Sequence, residues 1–236
     1  MKLKKLNQAL LVAILATGTA NANIIISEVH PTGSSTTTYA ADWFEVTNTG
    51  AEAVSTTGWQ VDDSSNGTLK LALRGISSIA SGQSVVYLES DAAGTLDSAK
   101  DAAFKAAWFG TNIPSNFLLG YYGGSGIGLS SGGDAVNIFD SSNAVITRVD
   151  FGSTVASVGI TLDNAAGIGS TNVAVTATIS TLSAVGVNGA FTSVTGNEIG
   201  SPGLISPSAV PVPAAVWLFL TGLMGFLGLN RKRKAA

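Results

Sequence analysis

The chain has 236 residues, no cysteine and a single histidine, so it has neither disulfides nor thiolate metal ligands and draws its stability from an apolar core. All fifteen carboxylates lie between residues 23 and 209 beside only five cations, Lys70, Arg74, Lys100, Lys105 and Arg148, a net of −10 for that stretch against −3 for the whole chain. A surface so acidic repels phosphate and excludes nucleic acid as a partner.

The N-terminus reads as a secretory signal peptide over residues 1–22. Lys2, Lys4 and Lys5 form a positive n-region, Ala9 to Ala16 a short apolar core, and Ala20-Asn21-Ala22 an A-x-A cleavage site with Ala20 and Ala22 as its small residues. The apolar core is too short to span a bilayer as a helix. The mature chain is expected to begin near Asn23, and about 187 residues before the C-terminal tail suffice for one substantial domain.

From there to Ala209, Val, Ile and Thr alternate with Gly, Ser and Asn, and short β-rich runs are separated by turn clusters, the pattern of an all-β sandwich or barrel. The runs are Ile24 to Val29, then Trp43 to Thr47 closed by the turn Asn48-Thr49-Gly50, then Val54 to Val61, broken by Asp62 to Gly67. Ser84 to Leu88, Ala135 to Phe139 and Val145 to Phe151 continue the series, with Asp140 to Asn143 as a hairpin connection. Ser98 to Phe109 differs. It is alanine-rich and sets Phe104 and Trp108 on one face at i, i+4, so it predicts a short helix crossing an edge or end of the sheets.

Trp43 and Trp59 are expected in the core, and Gly58 is expected to let the chain bulge or approach a neighbour. Gly132-Gly133-Asp134 offers positive-φ positions for a turn. Glu45 sits among apolar neighbours, which predicts a structural hydrogen bond rather than a catalytic acid. His30 precedes Pro31 and reads as a loop residue, and no Gly-x-Ser-x-Gly elbow offers a serine for it to activate. The glycine-rich stretch Gly120 to Gly128 lacks a Gly-Lys-Ser/Thr ending and reads as a flexible loop, not a phosphate cradle. Asp62, Ser64 and Asn66 occupy the first, third and fifth places of a calcium-loop pattern with Gly67 sixth, but Leu73 stands where a bidentate glutamate is needed. An Asx-type turn is the favoured reading there, and calcium the weaker alternative. No cofactor is implied.

The tail closes the chain. After a linker and proline pair at 204–213, the apolar run from Ala214 to Leu229 is a candidate transmembrane helix, sixteen residues long where a bilayer core of about 30 Å asks for about 20. Residues 230–236 carry the basic knot Arg231, Lys232, Arg233 and Lys234, which the positive-inside bias holds in the cytoplasm, leaving residues before Val210 on the outer side.

Four blocks carry a resemblance across residues 23–203. Ile25-Ile26-Ser27-Glu28-Val29, Asp42-Trp43-Phe44-Glu45-Val46-Thr47-Asn48-Thr49-Gly50, Thr57-Gly58-Trp59-Gln60-Val61-Asp62 and Gly128 to Asp140 resemble, in order, the signature blocks of the lamin tail domain. The likeness runs more loosely through Val149-Asp150-Phe151 to Gly200-Ser201-Pro202-Gly203. It departs in a long insert, Asp91 to Tyr122, and over Thr154 to Val194. The resemblance implies an immunoglobulin-like β-sandwich with a short helical insert.

The tail resembles the PEP-CTERM sorting signal in its Val-Pro-Val-Pro form, Val210, Pro211, Val212 and Pro213. That resemblance implies recognition by an exosortase, transient anchoring in the membrane, removal of the tail, and release to the cell surface or extracellular matrix of a Gram-negative cell. The expectation is therefore a non-enzymatic exported protein whose sandwich makes protein or exopolysaccharide contacts. Its alternatives are a calcium-dependent or carbohydrate-binding module and, further off, an exported hydrolase.

Overall fold

A computed structural model describes residues 24–64, 69–124, 127–153, 159–164 and 177–204. In chain order the elements are β1 (Ile24–His30), α1 (Gly33–Thr36), β2 (Trp43–Asn48), β3 (Val54–Ser55), β4 (Gln60–Asp62), β5 (Leu71–Ala72), β6 (Ser78–Ile79) and β7 (Ser84–Glu89). They continue with α2 (Ser98–Phe109), β8 (Leu119–Tyr122), β9 (Gly133–Phe139), β10 (Val145–Gly152), β11 (Leu162–Asp163), β12 (Ala177–Ile179), β13 (Phe191–Thr192) and β14 (Ile199–Gly200).

Two five-stranded sheets form, in the orders β11-β1-β2-β7-β8 and β12-β10-β9-β4-β5, with two-stranded ribbons β3-β6 and β13-β14 beside them. Pairing is antiparallel except between β7 and β8 and between β10 and β12. One apolar cluster joins the sheets: Ile26, Val29, Phe44, Val46, Val85 and Tyr87 from the first, Val61, Val136, Ile138, Val149 and Phe151 from the second. These positions recur every second residue, because successive strand side chains point to opposite faces, except between Ile26 and Val29, where a bulge adds one. The result is a predominantly β, sandwich-type domain.

The β9-β10 hairpin forms where the sequence placed it. Asp140 Oδ1 accepts the Ser142 and Ala144 amides, and Asn143 takes the left-handed turn position at φ 66°. Trp43 and Trp59 are both core residues.

The expected run Val54 to Val61 is instead two strands in different sheets. Thr56 turns the chain by donating its hydroxyl to Ile76 O, and Gly58 adopts φ 78° against Ser141, whose Cβ would stand 2.8 Å from a side chain at that point. Gly120 to Tyr122, expected in a loop, belong to β8, with Gly120 packed so closely on the Tyr87 ring that a Cβ would lie 2.6 Å from it.

Helix α2 matches its predicted bounds, yet it covers a face rather than an edge. Asp97 caps it by accepting the Ala99 and Lys100 amides, and Gly110 ends it at φ 59°. Its Phe104, Ala107, Trp108 and Phe109 pack on Trp43, Val86 and Leu88. Those three alternate with Phe44, Val85 and Tyr87 of the sandwich core, so they lie on the outer side of the first sheet. That sheet is thus buried on both faces. Among the described residues no helix is long and apolar enough to cross a membrane, and the predicted span 214–229 lies outside them.

Candidate functional site

The outer face of the first sheet gathers three buried ionisable groups, Glu28, His30 and Glu45. Cross-strand register sets Glu28 opposite Glu45 and His30 opposite Trp43, and a bulge between Ile26 and Glu28 brings the Ser27 hydroxyl to the same side. Ser27 Oγ donates to Glu45 Oε1 at 2.7 Å and accepts from Thr47 Oγ1 at 2.8 Å, and Thr47 pairs onward with Ser84 at 2.6 Å. Glu28, His30, Glu45 and Thr47 have no solvent exposure.

The remaining partners come from far along the chain. Ser201 N donates to both oxygens of Glu28 at 2.9 and 3.2 Å, and its hydroxyl donates to Oε2 at 3.1 Å. Thr161 also donates to Glu28, and Gly203 N donates to Glu45 Oε2 at 2.5 Å. A Cβ at position 200 would stand 2.6 Å from Glu28 Oε1, so the strap formed by residues 198–203 can approach the carboxylate there only as glycine. Glu198 from the same strap accepts from Tyr39 OH, and that hydroxyl receives Trp43 Nε1 at 3.1 Å and Trp108 Nε1 at 3.4 Å. His30 stacks on Trp43, 5.6 Å between centroids and 7° between planes, with Nε2 3.9 Å from Glu198 Oε1. Neither ring nitrogen of His30 makes a hydrogen bond.

Among the described residues no lysine or arginine pairs with Glu28, Glu45 or Glu198. Burial therefore dominates their titration. It pushes the Glu28 carboxyl up to about 7, against the hydrogen bonds from Thr161 and Ser201 and with help from the Asp163 charge. Glu45 rises too, by burial and then by the charge of Glu28, and burial lifts Glu198 to about 7. His30 moves the other way, down to about 4, because burial disfavours the imidazolium more than nearby backbone groups favour it. Burial thus favours the protonated form of all three acids, and their oxygens are spent on groups of the fold. The arrangement ties a distant segment to the sheet and presents no acid or base to a substrate.

Glu45 is thus structural, as its apolar neighbours implied. His30 is not a loop residue: it ends β1 fully buried, because strand alternation aims it under the strap beside Trp43. Glu28, Tyr39 and Glu198 escaped the sequence reading, although the argument that singled out Glu45, an acid inside an apolar strand, applies equally to Glu28.

Of the candidate calcium-loop residues, Asp62 and Ser64 are described. Asp62 is buried at the end of β4 with Oδ1 on the Asp63 amide, Ser64 is exposed with its amide on Asp134 Oδ1, and Asn66 lies outside the described residues. The nearby acids have a cation already. Arg148 pairs with Asp150 at 2.5 Å and donates to Asn137 Oδ1 at 2.9 Å; its charge is favoured first by Asp150, then by Asp134 and Asp62. Among the described residues no three His, Asp or Glu are grouped to hold a metal. Ala20, Ala22, Val210 to Pro213 and Arg231 to Lys234 all lie outside the described residues.

A two-sheet β-sandwich of immunoglobulin type, with its buried acids engaged in packing its own chain, defines the class. The lamin tail domain family model matches residues 17–153, more than half of the chain, and the chain belongs to that family. No curated protein matches it. The matched stretch contains Glu28 and Glu45; the Gly200-Ser201-Pro202-Gly203 strap that engages them follows it.

Proposed function

We propose that this protein is a non-catalytic component of the cell surface or extracellular matrix, exported by residues 1–22 and sorted through the tail that begins at Val210. Its sandwich acts by contact with other proteins or with exopolysaccharide. The reading rests chiefly on the engagement of Glu28, Glu45 and Glu198 with the strap and Tyr39, which leaves the acids that chemistry would need out of reach of a substrate. Membership of the lamin tail domain family, a non-catalytic fold family, supports it, as do the two targeting segments of the sequence. An exosortase-type enzyme is the processing partner, and the membrane is a transient one.

Intact-mass measurement of the protein from its native host, fraction by fraction, tests the proposal. The expected product lacks residues 1–22 and the segment after the proline motif and is found at the surface or in the medium. Full-length mass in the cytosol would overturn it.

A further inference from the structure

We infer that residues 198–203 are a proton-dependent strap, held on the first sheet while Glu28 and its neighbours carry protons and released when they lose them. The inference goes beyond the contact role proposed above. It starts from an imbalance of donors and acceptors. The strap supplies the Ser201 and Gly203 amides and the Ser201 hydroxyl, while the sheet beneath supplies two carboxyls directly opposite each other on β1 and β2. The strap adds a third acid, Glu198, rather than a cation.

The elements packed on the cluster bring acids to it but, among the described residues, no cation. β1 contributes Glu28 and His30, β2 contributes Glu45, and β11 contributes Asp163, which raises Glu28 further. Tyr39 comes from the connection between α1 and β2, and the strap brings Glu198. From α2, Trp108 donates to the Tyr39 hydroxyl and Phe104 packs on its ring at 5.0 Å, neither bringing charge; Lys105 of that helix is paired with Asp101. Three acids held dry and without a counter-ion cannot all ionise in place, because each added charge is both desolvated and repelled. The least costly response is to hydrate them by lifting what covers them. The strap is that cover, since its Ser201 and Gly203 lie directly on the two carboxyls.

The dependence has a calculable size. For a carboxyl that titrates at about 7 in the held state, as Glu28 beneath the strap and Glu198 within it do, linkage weakens that state about fourfold between about pH 6.5 and pH 8.5, or about fifteenfold for the two together. His30 is neutral in the fold across this window and opposes the effect only at lower pH.

Hydrogen–deuterium exchange of the full-length chain tests this, reading a peptide that spans Glu198 to Leu204 and, as internal reference, the β9-β10 hairpin, after correction for the intrinsic rate. The expected result is a loss of strap protection of about tenfold or more over that window, with the hairpin unchanged. Glu28→Gln, neutral at all pH, is expected to reduce the loss to about fourfold, leaving the Glu198 share. Strap protection that is flat with pH, or that falls in step with the hairpin, would overturn the inference. Should Glu28→Gln not fold, Glu198→Gln supplies the same comparison from the strap side, and the wild-type arm alone remains decisive.

Discussion

Glu28 and Glu45 face each other across β1 and β2, both without solvent exposure, and each receives an amide of the strap, Ser201 on Glu28 and Gly203 on Glu45. Two like-charged side chains directly opposite on a sheet would ordinarily repel. Here burial favours the protonated forms, and separate donors from one strap, Ser201 on Glu28 and Gly203 on Glu45, make the pair a fastening between the first strand of the domain and its last described segment.

Removing either carboxyl strands its donors. Glu28→Ala takes the acceptor from the Ser201 amide and hydroxyl, while Thr161 and Ser183 keep each other, and Glu45→Ala takes the acceptor from Gly203 N and the nearer acceptor of the Ser27 hydroxyl. Each change is expected to cost about 2–4 kcal/mol, from buried donors without partners plus the vacated volume. Urea denaturation at near-neutral pH measures it; a cost below about 0.5 kcal/mol would mean that the strap bears on neither group.

Stability should fall as pH rises from about 5 to 8. Glutamate titrates near 4.5 when unfolded, whereas Glu28 and Glu198 titrate at about 7 in the fold, so the folded state binds more protons in that interval. Their contribution is complete below the unfolded value and lost as pH rises through about 7, at about 1.4 kcal/mol per pH unit for each proton released. Asp42, lifted by burial to about 6, acts with the same sign between 3.8 and 6. Denaturant midpoints across a pH series check the slope; a midpoint that rises toward pH 8 contradicts it.

His30→Phe separates the histidine from the acids. His30 falls to about 4 in the fold, so its contribution is present above 6.5 and lost as pH drops toward 4, opposite to the acids. Phenylalanine keeps the stack on Trp43 and discards two buried nitrogens that bond to nothing. The variant is expected to match the wild type within about 1 kcal/mol at pH 7.5 and to exceed it near pH 5, where the imidazole no longer has to shed a proton on folding. Paired unfolding curves at the two pH values decide it.

Trp43 and Trp108 meet edge to face, 5.8 Å between centroids, where α2 lies on the sheet, and both indole N–H groups point at Tyr39 OH. Trp43→Ala or Trp108→Ala should cost about 3–5 kcal/mol and loosen the helix. Because both indoles are fully buried, soluble glycans should leave their fluorescence unchanged. A glycan-dependent shift would show an accessible indole and contradict the packing.

Much of this architecture is legible in the linear chain because it follows from local rules. Alternating Val, Ile and Thr mark β1, β2, β7, β9 and β10; Asp140 to Asn143 carries its own turn chemistry; the Phe104 and Trp108 spacing reveals α2. The acidity and the missing thiols are likewise matters of composition, needing no fold.

The strap is different. Its ties join residues 158 and 173 positions apart, and half of each bond is a backbone N–H that every residue except proline carries, so no side-chain pattern announces it. Tertiary structure alone put a bulge at Ser27, turned His30 inward, laid α2 over a face, and closed Glu28, Glu45 and Glu198 away from water without a cation. Periodicity along a chain can say that a side chain will be buried; only the packing of distant segments decides what it is buried against, and that sets its protonation.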